Sequence, residues 1–366
     1  MVSFKNNQIK VVEGDALGPT VRWLILTNNQ IGLLPAEMGK LSRLQKLMLA
    51  GNRLRSLPPE LSQCRNLELI RMSANDMHTF PRWLLSLPKL SWLAFAGNPY
   101  CQAETNKRQA LPLKTFLSDE INQGEQLGQG ASGVIYKGNY KGMGQGEAIA
   151  IKRFKGDITS DGSPLDERAA CIAAGTHPNL VNVLGEYEPA EKHTGKADLV
   201  FDFIGEEYEN LGGPPSLESC TRDIYPEDAS FSVQEILTIS AGIASAAQHL
   251  HQRGIMHGDL YAHNILVNPK SHSILGDFGA ASFYDETDKD FGQALERIEV
   301  RAFGCLLEDL LDRCLKNAEH TVEKTVYHQL RQLQQACMAP EANQRPRFRS
   351  ICQTLSTLSV SVCSPA

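Results

Sequence analysis

Asparagine residues recur with one constant spacing through the first hundred positions of the chain. Asn29, Asn52, Asn75 and Asn98 follow one another at steps of 23 residues, and each is preceded by apolar residues eight, five and three positions earlier. A unit this short buries its apolar face only by stacking on its neighbours. We therefore expect a stack of coils, each with one short strand. The asparagine side chain at the turn after each strand can satisfy buried backbone groups, so the asparagines should form a ladder.

The repeated pattern LxxLxLxxNxL is similar to that of leucine-rich repeat proteins. Pro35, Pro58 and Pro81 follow the asparagines at equivalent places, where the chain can turn on the convex side of such a stack. The resemblance implies an α/β leucine-rich repeat solenoid over residues 1–101. The polar stretch over residues 102–118 is interpreted as a linker to a second domain.

The strands of the repeats should present a row of side chains on the concave face, because alternate strand residues point to opposite sides. For a row that faces solvent these residues are unusually apolar, so we expect them to dock a partner, with the tryptophans as anchors. The partner is either a separate protein, such as a substrate, or the second domain of the same chain. The main expected contacts are Trp23, Met48, Arg71 and Trp92.

Charge is distributed unequally along the chain. Residues 1–118 hold 15 Lys+Arg and 7 Asp+Glu, a net charge of +8, whereas residues 119–366 hold 21 and 35, a net charge of −14. Opposite charges favour docking of the two parts on each other in cis. No dense basic cluster with interleaved aromatic residues occurs, so we expect no nucleic-acid binding. No apolar run reaches the roughly 18 residues that a membrane span needs, and nine scattered cysteines favour a reducing, cytoplasmic setting.

Acidic and carboxamide side chains in the second part have a spacing suited to phosphoryl transfer. Asp259 and Asn264 lie five residues apart, and Asp277 comes thirteen residues later in the sequence Asp-Phe-Gly. One Asp can orient an acceptor hydroxyl, while Asn264 and Asp277 bind Mg²⁺ on the phosphates of a nucleotide. The stretch from His257 to Asn264, together with Asp-Phe-Gly, resembles the catalytic loop and metal-binding motif of the protein kinase family. The resemblance implies a bilobal α+β protein kinase-like fold over residues 119–366.

A glycine-rich stretch and a lysine lie upstream, where the same resemblance implies ATP binding. Residues 127–135, Leu-Gly-Gln-Gly-Ala-Ser-Gly-Val-Ile, match GxGxxGxV, whose glycines let backbone amides approach phosphates. Lys152 would bind the α/β-phosphates, with Glu167 as its helix partner or Asp166 as the alternative. Phe201, just before the hinge, would narrow the back of the adenine pocket. The expected ATP contacts are Leu127, Gly128, Gly130, Gly133, Ile135, Ala150, Lys152, Glu167, Asp202, Phe203 and Leu266, and the expected catalytic residues are Asp259, Lys152 and Asn264.

The catalytic loop departs from the kinase family in its cations. Gly258 stands where most kinases carry Arg, Tyr261 replaces the Lys of serine/threonine kinases, and His263 lies where tyrosine kinases carry Arg. Because the Arg that senses a phosphorylated activation segment is missing, we expect an enzyme that is not regulated by phosphorylation of that segment.

The segment after Asp277 is also shorter than the resemblance implies. It lacks the Ala-Pro-Glu motif, and a helix is predicted to begin near Glu299, only 22 residues after Asp277. Arg345 matches the late Arg of the family, and Glu296 is its predicted partner. The region that normally docks a peptide acceptor is therefore short or absent.

The motifs favour an ATP- and Mg²⁺-dependent protein kinase acting on serine or threonine, with the repeats as a docking or regulatory module. Two alternatives stay open at this point. His-Gly-Asp with Asn five residues beyond the Asp also resembles aminoglycoside and choline kinases, which phosphorylate small molecules. The departures in the catalytic loop are also compatible with a nucleotide-binding scaffold that transfers no phosphate. The substrate and the oligomeric state do not follow from the sequence.

Overall fold

A computed structural model describes residues 1–109, 113–130, 132–142, 147–156, 158–188, 198–315 and 321–363. The first domain is a parallel sheet of five short strands, whose order in the sheet is the order in the chain. Leu47, at the centre of the third strand, pairs with Leu24 on one side and Ile70 on the other. The strands are β1 (Val2–Ser3), β2 (Trp23–Ile25), β3 (Lys46–Met48), β4 (Leu69–Arg71) and β5 (Trp92–Ala94).

The asparagine ladder is present along one edge of this sheet. The carboxamide nitrogen of Asn52 donates to the carbonyl oxygens of Leu26 and Leu49, both at 2.9 Å, and its oxygen accepts from the amide of Ile31 at 3.1 Å. Asn75 and Asn98 make the equivalent contacts one and two coils further along. The predicted ladder is confirmed, and each asparagine bridges two successive coils.

Short 3₁₀ helices form the convex side of three coils. They span Ala36–Lys40, Pro59–Gln63 and Arg82–Ser86, and each follows one of the predicted prolines. Five residues complete little more than one turn, so a 23-residue coil closes with this tighter geometry instead of with an α-helix. The convex face therefore differs from the α/β arrangement that the resemblance implied.

The stretch predicted as a polar linker holds regular structure. Helix α1 (Gln102–Gln109) follows the last coil directly, and strand β6 (Thr115–Leu117) joins the sheet of the second domain. Glu104 accepts from Lys107 and Arg108 one turn later at 2.5 and 2.6 Å, so the polar side chains of α1 pair with one another. Residues 110–112 of this stretch lie outside the described residues.

The second domain begins with a six-stranded sheet in the order β6-β10-β11-β9-β8-β7. Helix α2 (Pro164–Ala174) begins after Ser163, whose hydroxyl accepts from the amide of Leu165. It packs against α1 and against the Asp-Phe-Gly segment, so it connects the repeat side to the catalytic side. The new strands are β7 (Ile121–Gln129), β8 (Gly133–Tyr140), β9 (Glu147–Phe154), β10 (Val183–Glu188) and β11 (Asp198–Asp202).

The rest of the second domain is mainly helical. A capping box between Ser232 and Glu235 starts the first long helix, which packs against the three helices that follow it. No helix in the described part of the chain is long and apolar enough to cross a membrane. The elements are β12 (Glu209–Asn210), α3 (Val233–Gln252), β13 (Ile255–Met256), β14 (Ile265–Val267), β15 (Ser273–Leu275), β16 (Ser282–Phe283), α4 (Lys289–Asp312), α5 (Thr321–Cys337) and α6 (Phe348–Cys363).

Helix α4 corrects two predictions made from the sequence. It begins at Lys289, ten residues before the predicted start at Glu299, because Asp288 caps it by accepting from the amide of Phe291. Glu296 then lies inside the helix and does not pair with Arg345. Its carboxylate accepts instead from the Arg347 side chain at 2.6 Å and from the Phe348 amide at 2.8 Å.

Arg345 fails to reach Glu296 because its guanidinium is occupied by backbone carbonyl oxygens. It donates to those of Ala339, Arg297 and Pro88 at 2.8, 3.1 and 2.8 Å. Pro88 belongs to the repeats, so the late Arg of the second domain bonds to the first domain.

The concave row of the repeats lies against the second domain. It is buried from β3 to β5, while Trp23 and Ile25 of β2 are half-buried. Met48, Leu69 and Trp92 belong to the main apolar core of the second domain. Tyr284 and Leu295 of the second domain likewise belong to the core of the repeats. The sequence left two partners open for this row, a separate protein and the second domain of the same chain. In the structure the second domain packs against it.

Replacing Asn52 with Ala should lower the free energy of unfolding by at least about 2 kcal/mol, because the Ile31 amide and the carbonyls of Leu26 and Leu49 lose buried partners. Urea unfolding measures the change. The matched control is Asn7→Ala, since Asn7 is exposed and bonds only to nearby carbonyls. Equal stability losses in the two variants would contradict the ladder's contribution.

His177 should make stability depend on pH on the acid side of neutrality. Its ring nitrogen Nδ1 accepts from the Asn179 amide, and burial, with His249 and Arg253 nearby, lowers its pKa to about 4. The folded state thus resists a proton that the unfolded chain takes up at about pH 6.5, so stability falls as pH drops from there towards 4.

Urea unfolding of wild type and His177→Gln between pH 7 and 5 measures this effect. The variant should lose less stability than wild type over that range, whereas His78→Gln, at an exposed position, should behave as wild type does. Parallel pH curves for wild type and His177→Gln would contradict the prediction.

Candidate functional site

A cavity of about 420 Å³ opens between the six-stranded sheet and the helical part of the second domain. Leu127, Ile135 and Ala150 line one wall from the sheet, and Leu266 lies on the opposite wall. Phe201 stands at the position predicted to narrow its back. Five further lining residues were not predicted from the sequence: Cys171, Val181, Ile204, Asn210 and Gly276.

The strand pair β7–β8 carries the glycine-rich turn over one end of this cavity. The pair is antiparallel, with Gly128 opposite Ile135, while Gly130 and Gly133 line a second, smaller cavity of about 210 Å³. A Cβ on Gly133 would lie 2.4 Å from the carbonyl oxygen of Arg153 on the next strand. Glycine is therefore required for this turn to pack on β9. Ala131 of the turn lies outside the described residues.

Lys152 on β9 forms an ion pair with Glu167 on α2, and the alternative partner Asp166 is not used for this contact. Both side chains line the larger cavity. Burial lowers the pKa of Lys152, but Glu167, with Cys171 and Asp277 nearby, outweighs burial and raises that pKa above its ordinary value. Lys152 therefore stays charged at the point where two cavities meet, since it also lines the smaller one.

One carboxylate of helix α4 accepts hydrogen bonds from the backbone of the catalytic loop. Glu299 of α4 accepts from the backbone amides of His257 and Gly258 at 3.3 and 2.7 Å. The His257 ring contacts the Gly276 carbonyl through Nε2 at 2.9 Å and accepts from the Asp259 amide through Nδ1. These contacts fix the loop before Asp259 and tie it to the strand end that precedes Asp277.

Asn264 and Asp277 face the cavity together. The Asn264 carboxamide nitrogen donates to the backbone oxygen and to the Oδ2 of Asp259, both at 2.9 Å, which leaves its oxygen as a ligand atom. Asp277 has a left-handed backbone (φ 54°), which Asp tolerates, and its carboxylate accepts from the Gly279 amide at 3.0 Å. A carboxylate and a carboxamide oxygen are hard ligands of the kind that Mg²⁺ prefers, so these residues fit the metal.

Asp259 is the predicted catalytic residue that contacts the repeats. Its side chain is 15% exposed and lines neither cavity. One carboxylate oxygen accepts from Asn264, and the other forms an ion pair with Arg71 of the repeats. Burial acts to raise the pKa of Asp259, but Arg71 and then His263 and His257 hold it below its usual range. Asp259 is therefore ionised at neutral pH.

The rings of one tryptophan and one tyrosine stack where the repeats meet the catalytic loop. Trp92 of β5 lies parallel to Tyr261, with ring centroids 4.2 Å apart, and its indole nitrogen donates to the Leu260 carbonyl at 3.0 Å. The His263 ring lies beside Tyr261, with ring centroids 5.0 Å apart, and pairs with Asp223 at 2.6 Å. Trp92 therefore contacts the loop that contains Asp259.

Arg71 and Asp161 are site residues whose positions the motifs did not reveal. Asp161 lies in the segment before α2, lines the smaller cavity, and accepts from Arg71 at 2.8 Å. Burial, with Asp259 and Asp277 nearby, raises its pKa against the opposing effect of Arg71. Two signals stood in the sequence: Arg71 belongs to the row expected to dock a partner, and the missing side chain of Gly258 marks a close approach of another part of the chain.

Comparison with known proteins gives two family matches. The family described as protein tyrosine and serine/threonine kinase matches residues 121–310, which is more than half of the chain. The leucine rich repeat family matches residues 42–99. The two matches lie in the same order as the two domains described above.

Individual relatives resemble the chain over part of their length. Cyclin-dependent kinase 11.1 of Caenorhabditis elegans is 29% identical over 52% of this chain and 25% of its own length. A probable LIM domain-containing serine/threonine-protein kinase of Dictyostelium discoideum is 25% identical over 68% and 41%. A probable LRR receptor-like serine/threonine-protein kinase of Arabidopsis thaliana is 28% identical over 46% and 26%. The chain therefore spans about a quarter to two fifths of these relatives.

Replacing Glu167 with Gln should lower the free energy of unfolding by about 3 kcal/mol, because Lys152 would be left buried without a counter-charge. The pKa of Lys152 should fall at the same time, since Glu167 is the main group that raises it. Urea unfolding tests the first effect. Asp288→Asn serves as the control, because it removes only an exposed ion pair with Arg82 and leaves an acceptor that can still cap α4. A Glu167→Gln protein as stable as this control would contradict the assignment.

Proposed function

Since the chain belongs to the protein tyrosine and serine/threonine kinase family, we propose that it is an ATP-dependent protein kinase that phosphorylates serine or threonine. One observation carries the proposal. The Lys152–Glu167 pair, Asn264 and Asp277 line one cavity of nucleotide size, and Asn264 bonds to Asp259 beside it. The Lys–Glu pair and the Asp of Asp-Phe-Gly must both be in place for transfer in protein kinases.

The larger cavity suits the base and sugar of ATP. Its apolar walls, from Leu127, Ile135 and Ala150 on one side and Leu266 on the other, can hold the adenine ring. Asp202 and Phe203 line the edge where the hinge lies, and their backbone groups can bind the edge of that ring. The sheet and the helical part would then act as the two lobes of a kinase, with ATP between them.

In the proposed mechanism, Lys152 binds the α/β-phosphates and Glu167 holds its ammonium group in place. Gly130 and Gly133 give the backbone room to approach the phosphates. Asn264 and Asp277 would hold Mg²⁺, which neutralises charge on the phosphates when bound. Asp259 orients the acceptor hydroxyl and accepts its proton. The acceptor oxygen forms a bond to the γ-phosphorus while the bond to the β-phosphate oxygen breaks, so ADP leaves.

The substrate, the partners and the location of the protein are also proposals. The serine/threonine preference is supported by the names of the Dictyostelium and Arabidopsis relatives. Leucine-rich repeats generally bind proteins, so their faces that remain exposed are proposed to bind a substrate or partner. A cytoplasmic location agrees with the free thiols of the eight cysteines whose side chains the structure describes, and it remains a prediction.

Replacing Asp259 with Asn should lower kcat for phosphate transfer by roughly 100-fold or more, because the group that accepts the hydroxyl proton is lost. ATP affinity should stay within about threefold, since Asp259 lines neither cavity. Transfer of labelled phosphate from ATP to casein and to the protein itself measures the rate, and titration with a fluorescent ATP analogue measures the affinity.

Asp288→Asn is the control for this experiment, as it removes a carboxylate far from the cavity. A variant with Asn at 259 that transfers phosphate at the wild-type rate would refute the assignment of Asp259. If wild type binds ATP but transfers phosphate only to small hydroxylated metabolites, the proposal that the acceptor is a protein would be refuted.

A further inference from the structure

We propose that Arg71, supplied by the repeats, is a positioning residue for phosphoryl transfer that fixes the catalytic loop and the segment before α2 in their working arrangement. The inference rests on the proposed kinase function. It assigns the leucine-rich repeats a part in the active site itself, in addition to any docking of partners.

The contacts of Arg71 join three parts of the chain at one point. Its guanidinium is 2% exposed. It donates to Asp161 at 2.8 Å and to the Gly258 carbonyl oxygen at 2.8 Å, and it forms an ion pair with Asp259. Asp161 and Asp259 act to raise the pKa of Arg71, against the effect of burial, so the group is permanently charged. A planar guanidinium can hold three acceptors in fixed directions, which an ammonium group cannot.

The catalytic loop has no strong cation of its own beside Asp259. Gly258 and Tyr261 carry no charge, and His263 is engaged by Asp223 at 2.6 Å. Without Arg71, the carboxylate of Asp259 would keep one firm contact through its side chain, the amide of Asn264. Arg71 therefore provides, from another domain, the fixed positive group that orients the second carboxylate oxygen.

The segment before α2 is held by the same face of the repeats. A Cβ on Gly51 would lie 2.8 Å from the side chain of Ile158, and one on Gly97 would lie 2.8 Å from Asp166. Helix α2 carries Glu167, the partner of Lys152. The repeats thus contact α2 and the catalytic loop at once, and Arg71 bonds to Asp161 just before α2 and to Gly258 and Asp259 of the loop.

The docked arrangement coincides with an assembled site. The Lys152–Glu167 pair is formed and Asp277 faces the cavity while Arg71 is in place. Ser282, after Asp-Phe-Gly, accepts from the amides of Phe95 and Ala96 at 2.9 and 3.1 Å, so the residues just after strand β5 also support the short segment that replaces the usual acceptor platform. An assembled site favours a supporting role for the repeats over an inhibitory one.

The test compares wild type with Arg71→Ala, Arg71→Lys and Asp161→Asn as full-length proteins, using ATP, Mg²⁺ and casein. Arg71→Ala should lower kcat roughly 10- to 100-fold, because small displacements of catalytic groups cost this much, while KM for ATP stays within about twofold. Asp161→Asn should shift kcat in the same direction by less, and Arg71→Lys should recover part of the loss. Arg82→Ala, which removes an exposed arginine of the same domain, is the control and should match wild type.

Hydrogen exchange adds a readout that does not need turnover. Exchange at residues 257–264 and 158–167 should increase in Arg71→Ala and stay unchanged in Arg82→Ala. If Arg71→Ala does not fold, Arg71→Lys and Asp161→Asn decide the question. A wild-type kcat in both of these variants overturns the inference. A faster rate in any Arg71 variant also overturns it and indicates that the contact inhibits phosphate transfer. A wild type that transfers no phosphate overturns the proposed function first.

Discussion

The ion pair between Arg71 and Asp259 is the contact on which the rest of the arrangement depends. It places a buried guanidinium from the repeats against the carboxylate that the kinase chemistry requires. Buried charges are tolerated only when they are paired and hydrogen-bonded, and removing one partner of such a pair typically costs about 3–5 kcal/mol. The contact therefore commits the two domains to one relative position, and the apolar contacts around it follow that position.

Those apolar contacts make the two domains share their interiors. Trp92 packs into the core of the second domain, while Leu295 packs into the core of the repeats. Two buried arginines of the second domain, Arg301 and Arg345, end on Ser91 and Pro88 of the repeats. The net charges of +8 and −14 add a long-range attraction to this close packing, although surface charge of this kind steers association more than it stabilises it.

The sequence predicted what depends on local pattern. The asparagine ladder follows from a period of 23 residues, and the resemblance to protein kinases implied the pairing of Lys152 with Glu167. It could not predict contacts set by the docking of distant parts. Arg71 and Asp259 are 188 residues apart, and no motif connects them. The prediction that Glu296 pairs with Arg345 was wrong for the same reason. Arg345 donates instead to carbonyl groups that only folding brings near it.

Gly258 has a meaning that extends beyond this catalytic loop. Its backbone has φ of 75°, and a Cβ there would lie 2.5 Å from the carbonyl oxygen of Leu93 on strand β5 and 2.8 Å from that of Ala280. Any side chain at this position would push the repeats away from the loop. The two domains are therefore not interchangeable modules: these repeats could be transplanted only onto a kinase domain that carries glycine after the loop histidine. In a related chain, the residue at this one position would indicate whether its repeats can pack against the catalytic loop in this way.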